Sequence, residues 1–132
     1  MNRVFADTHY FLALLNPRDQ DHLKAIAFSN SYQGGLLTSE YVLLELADAL
    51  AKPAYRQRLL DMIHTLQTDP TVEIIPAQPT WFEAGLTLFA KRMDKDWPLT
   101  DCINMVIMDQ HQIHEILTAD QHFKQAGYVT LL

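Results

Sequence analysis

Short apolar runs alternate with longer amphipathic stretches along this chain, and the alternation predicts strands and helices in turn. Val4-Phe5-Ala6 is apolar and halts at Asp7, which predicts a buried first strand. Residues 10–15 are apolar and helix-compatible, and Asn16-Pro17 ends them. Asp19 or Asp21 then caps a second helix reaching about residue 31. Gly34-Gly35 reads as a turn and Leu36-Leu37 as a brief strand. Thr38-Ser39 caps a third helix to about Lys52, where Pro53 stops it. Residues 56–67 predict another helix, Asp69-Pro70 a turn, and Val72-Glu73-Ile74-Ile75 a strand. Pro79 or Thr80 opens a helix to about Met93, and a polar link, residues 94–98, leads to Thr100 as the cap of a helix through about His111. Ile116-Leu117-Thr118 is a strand, residues 120–125 a short helix stopped by Gly127, and residues 128–131 a last strand.

This order predicts an α/β domain with a central, mainly parallel sheet. The predicted strands are apolar on both faces, as a sheet covered by helices on both sides requires. A chain of 132 residues fits one domain, 1–132. No apolar run approaches the ~20 residues that cross a bilayer, so no membrane is expected. The one cysteine, Cys102, has no internal partner, and no export signal precedes the first strand. Both point to a reducing, cytoplasmic setting.

Charge changes the picture less than its size implies. The net value is −6, whereas nucleic-acid binders usually carry a basic face. A cluster of cation-binding carboxylates would account for part of the excess. Arg18, Lys24, Lys91, Arg92, Lys95 and Lys124 are scattered and read as solubilising.

Four carboxylates carry the candidate chemistry. In open parallel sheets ligands sit beyond the carboxyl ends of the strands, where Asp7 follows the first strand and Asp120 the penultimate one. The competing reading is that each merely caps the next helix. Glu45 lies inside the third helix, at the edge of the apolar arc of Val42, Leu43, Leu46, Ala49 and Leu50, so it is half-buried and needs a partner, either a cation or an Arg or Lys. Asp101 opens a helix that is apolar nearly all round, with Met105 and Met108 flanking it and Asn104 one turn on. Compensation of the helix dipole is its competing reading. Four converging carboxylates repel by about 4 kcal/mol per close pair at an effective dielectric near 20. A cation or a proton must offset that. An oxygen-only donor set selects Mg²⁺ or Mn²⁺, ions suited to phosphate chemistry.

Thr8, Thr100 and Thr118 could orient carboxylates or act as cap and turn hydroxyls. His111 and His114 straddle a helix end and read as surface residues; His122 sits beside Asp120, where it would contact a phosphate or simply be solvated. Trp81, Phe82 and Phe89 read as helix core in preference to a dimer face. Cys102 is buried by pattern and lacks a paired base, which argues against a thiol nucleophile. A receiver-like phosphohydrolase is disfavoured because Asp7-Thr8-His9 lacks a D-x-D pair.

The ordering of an apolar strand plus Asp7-Thr8, then Thr38-Ser39 with Glu45 in the next helix, resembles PIN-domain proteins, in particular the VapC-like toxin ribonucleases. Asp94-Lys95-Asp96-Trp97-Pro98-Leu99-Thr100-Asp101-Cys102 is similar to that family's D-K-x-W-S-L-T-D-C signature. Leu117-Thr118-Ala119-Asp120-Gln121-His122-Phe123, with Gln125-Ala126-Gly127, is similar to its L-T-x-D-x-H-F-x-x-A-G ending. The resemblance spans the chain. It implies a three-layer α/β/α fold and Mg²⁺- or Mn²⁺-dependent endonucleolytic cleavage of RNA. It implies Asp7, Glu45, Asp101 and Asp120 as the acidic quartet; Thr8, Thr118 and Asn104 are supporting candidates by their position beside these carboxylates. It also implies a homodimer and a small antitoxin protein as partner. Pro98 and Asn104 depart from the pattern, where a serine and a small hydroxyl residue are common. A binding module that has kept the carboxylates with little turnover is the alternative reading.

Overall fold

The computed structural model describes residues 2–132, so Met1 of the expected 1–132 span lies outside it. In chain order the elements are β1 (Arg3–Ala6), α1 (Thr8–Leu15), α2 (His22–Ser31), β2 (Gly35–Ser39), α3 (Glu40–Ala49), α4 (Pro53–Thr68), β3 (Val72–Ile75), α5 (Pro79–Lys91), α6 (Leu99–Gln110), β4 (Glu115–Leu117), α7 (Gln121–Gln125) and β5 (Val129–Thr130). All strand pairings are parallel, in the order β3-β2-β1-β4-β5. From β1 the chain steps outward to β2 and β3, then crosses to the other side through β4 and β5. Right-handed crossovers therefore place α1 to α4 on one face and α5 to α7 on the other, the expected three-layer α/β/α arrangement. The order reverses between β1 and β4, paired through Phe5 with Ile116 and Ala6 with Leu117. That switch point opens a crevice at the carboxyl ends of the central strands.

The central strands are buried on both faces: Val4, Phe5, Ala6, Leu37, Ile116 and Leu117 all belong to the core. Helix α6 is the core helix. Cys102, Ile103, Met105, Ile107 and Met108 are all buried. Helix α5 lies against α6 at Gly85, where an added Cβ would meet Ile103 Cγ1 at 2.3 Å and Ile103 Cα at 3.1 Å. Gly85→Ala should therefore destabilise the protein by about 1–3 kcal/mol despite its better helix propensity. Urea denaturation would check this, and an unchanged or higher midpoint would count against the close α5–α6 contact.

Several sequence expectations are corrected. Pro53 does not only stop a helix; it is the first residue of α4, three positions before the expected Arg56, because the first helical N–H needs no partner. Helix α3 ends at Ala49. Thr100 does not cap α6. Leu99 is already helical and Pro98, fixed at φ −61°, is the N-cap, so Asp101 falls in the first turn and is not the cap. Gly35 lies within β2, and β5 is only Val129–Thr130 because β4 is three residues long. Phe82 and Phe89 are not core. With Leu86 they form an exposed stripe on α5, since Gly85, Trp81 and Leu88 take the inward side. Asp21 stands at the N-cap of α2 but makes no side-chain cap; its carboxylate lies 2.8 Å from His9 Nε2.

Candidate active site

Each of the four carboxylates reaches the crevice from a different element. Asp7 follows β1 and is 5% exposed. It occupies the N-cap position of α1 without making a side-chain cap, so capping does not account for it. Its Oδ2 accepts from Thr118 Oγ1 at 2.9 Å, across the switch point from just beyond β4. Asp101, in the first turn of α6, is also 5% exposed. Asp120 does cap α7, accepting from the His122 N–H at 2.9 Å, and its own N–H donates to Thr118 Oγ1 at 3.1 Å. Glu45, half-buried on α3, accepts from Thr8 Oγ1 at 2.5 Å rather than from an Arg or Lys.

Thr8 and Thr118 thus bind carboxylates directly instead of serving only as turn hydroxyls. Thr38 Oγ1 instead donates to the Ala6 carbonyl at 2.8 Å, tying β2 to β1. Ser39 caps α3 through the Val42 N–H and donates to Asn104 Oδ1 at 2.7 Å, joining the helix that carries Glu45 to the helix that carries Asp101. Asn104 is fully buried and its Nδ2 lacks a hydrogen-bond partner among the described residues. Trp97 packs the α5–α6 link down, donating from Nε1 to Gln125 Oε1 on α7 at 3.0 Å while the Arg92 guanidinium lies 4.8 Å over its ring.

Among the described residues no lysine or arginine pairs with any of the four carboxylates. Burial pushes Asp7 up to about 6, assisted by the charges of Glu45 and Asp120 and opposed by the Thr118 and Thr8 hydrogen bonds. Asp101 is pushed up to about 7, first by burial and then by Asp7, with the His122 hydrogen bond opposing. These mutual influences tie all four into one electrostatic cluster. The donor set fits a hard divalent ion: carboxylate oxygens oriented by hydroxyls, with charge that no fixed cation balances.

Sequence reasoning underrated His122. Its Nδ1 lies 3.0 Å from Asp101 Oδ2 and 3.0 Å from Asp120 Oδ1. The signal available was a histidine two residues after a strand-end aspartate, in a helix too short to turn its side chain away. The His9–Asp21 pair had no such signal, because the contact closes through the α1–α2 loop.

The chain matches the PIN domain family model over residues 4–128. No curated protein matches it. Among solved structures it is similar to VapC20 from Mycobacterium tuberculosis, described as a sarcin-ricin loop cleaving toxin, at TM-score 0.87 and 21% identity, covering 96% of both chains. It is similar to FitAcB from Neisseria gonorrhoeae at TM-score 0.68 and 18% identity, over 98% of this chain and 96% of that one. VapBC2 from Rickettsia felis, solved with a DNA fragment from its promoter, gives TM-score 0.68 and 12% identity over 98% and 97%.

Proposed function

The chain belongs to the PIN-domain family, and from that premise we propose that it is a Mg²⁺- or Mn²⁺-dependent endoribonuclease, the toxin of a toxin–antitoxin pair. The observation that carries the reading is the cluster of buried Asp7 and Asp101 with partly exposed Glu45 and Asp120, without a balancing lysine or arginine among the described residues. A protein keeps such a cluster when a cation completes it.

In this reading Asp7, Glu45 and Asp101 would hold the ion and Asp120 would complete the site directly or through water. The bound cation would polarise a phosphoryl oxygen and lower the pKa of the attacking water. The residues of the chain supply position. Thr8 holds Glu45 and Thr118 holds Asp7 by hydrogen bonds, fixing the orientation of both carboxylates. Ser39 and Asn104 fix α3 against α6. Water attacking in line would form the new P–O bond as the bond to the ribose 3′-oxygen breaks, and that oxygen would take up a proton from solvent, leaving 3′-hydroxyl and 5′-phosphate ends.

The neighbours support the toxin reading: VapC20 is described as a sarcin-ricin loop cleaving toxin, and FitAB and VapBC2 are each solved with a DNA fragment. We assign the chain a small antitoxin protein as partner. A homodimer is supported by the exposed α5 stripe of Phe82, Leu86 and Phe89, with exposed Met93 just past the helix end. Among the described residues no helix is long and apolar enough to cross a membrane, and a cytoplasmic site of action belongs to the same proposal. The deciding experiment incubates purified protein with RNAs that include a sarcin-ricin stem-loop, with Mn²⁺, Mg²⁺ or chelator. Metal-dependent cuts with 5′-phosphate ends are expected. No cleavage of any RNA, together with tight partner binding, would overturn the nuclease reading in favour of a binding module.

A further inference from the structure

The ring of His122 is held in the carboxylate cluster from several sides. Helix α7 begins at the Asp120 cap and is pinned by the fully buried Phe123, which packs on Tyr128 at 6.2 Å between ring centroids. Gln125 at its far end accepts from Trp97. The backbone N–H of His122 serves the Asp120 cap, so the ring is not needed for capping. That ring instead sets Nδ1 3.0 Å from an oxygen of Asp101 and 3.0 Å from an oxygen of Asp120.

We propose that His122 is a nitrogen ligand of the cation held by this cluster, so that the site favours transition ions over Mg²⁺. The inference rests on the metal-nuclease reading and adds a donor outside the acidic quartet. In an octahedral site with bonds of about 2.1 Å, adjacent donors are about 3.0 Å apart, the separation Nδ1 keeps from both carboxylates. One donor atom from each of Asp101, Asp120 and His122 lies within 4.8 Å of the other two. Such a ligand must be the neutral imidazole with its proton on the other nitrogen. Nε2 is free to take that proton when Nδ1 exchanges its hydrogen bond to Asp101 for the ion, since Nε2 hydrogen-bonds to none of the described residues and the side chain is 27% exposed. An all-oxygen site suits Mg²⁺ and Mn²⁺ alike, whereas an imidazole raises affinity along the series Mn²⁺, Co²⁺, Ni²⁺ and leaves Mg²⁺ behind.

The test titrates the full chain with Mg²⁺, Mn²⁺ and Co²⁺ by calorimetry at fixed neutral pH, for wild type, His122→Ala and His122→Asn. The asparagine variant keeps an N–H donor for the carboxylates and guards against misfolding of the alanine variant. Both variants should lose about tenfold or more in Co²⁺ affinity, less for Mn²⁺, and under about threefold for Mg²⁺. Pulsed EPR of the Mn²⁺ complex should show coupling to a directly bound nitrogen in wild type and none in either variant. Absence of that coupling in wild type, or equal losses for all three ions, would overturn the assignment and leave the nuclease reading standing. A wild-type chain that binds none of the three ions would overturn both.

Discussion

Asp101→Asn is expected to cut metal-dependent RNA cleavage by about a thousandfold or more while the protein stays folded. The proposed ion contributes several kcal/mol of transition-state stabilisation, and each 1.4 kcal/mol or so is a factor of ten in rate. Asparagine has the volume of aspartate and still presents an oxygen toward His122, so packing against Met105 and Met108 survives. What is lost is one negative ligand at the buried centre of the cluster. Asp7→Asn should behave alike, since its amide oxygen can still accept from Thr118. Asp120→Asn should lose less if Asp120 acts through water, and its helix cap is preserved. Gel-based cleavage with circular dichroism on each variant makes the measurement. Undiminished metal-dependent cleavage by either the Asp7 or the Asp101 variant would reject the roles proposed for them.

Much of this site was legible because its residues sit where local rules are strict. An apolar triplet ending in aspartate can hardly be anything but a buried strand with a polar end, and β1 with Asp7 follows from it. The apolar surround of Asp101 gave away α6 as the core helix. Glu45 was placed by the helical wheel, but its partner was not, because Thr8 lies 37 residues away and only the α1–α3 packing brings it close. Four of the misread positions share an origin, in that prolines and aromatics were judged by propensity alone. Pro53 and Pro98 start helices rather than merely interrupting the chain. Phe82 and Phe89 follow a helical period, yet a period does not say which side of α5 faces α6. Gly85 decides that, through the close approach of Ile103.

The same buried charges lead to an effect opposite to the usual loss on mutating a core residue. In chelator at pH 8, Asp101→Asn should be more stable than wild type by an amount on the order of a few kcal/mol, and the gap should close as the pH falls to 4. Burial and Asp7 hold folded Asp101 at about 7, against 3.8 as its ordinary value. The folded protein therefore binds this proton more tightly than the unfolded chain does. Its contribution to stability is full below pH 3.8 and is lost as the pH rises through 7, at about 1.4 kcal/mol per pH unit across the interval. Asp7, raised to about 6, adds the same sign over a narrower interval. Asparagine is neutral at every pH and escapes the penalty. Mn²⁺ at a thousand times its dissociation constant should cancel most of that advantage, because it stabilises the wild type by about 4.1 kcal/mol while the variant binds it weakly. Thermal unfolding at pH 4, 6 and 8, with chelator and with Mn²⁺, reads both halves. A metal-free wild type that gains stability between pH 6 and pH 8 relative to the variant would mean that the buried carboxylates are already balanced within the protein, and the need for a cation would disappear with the penalty.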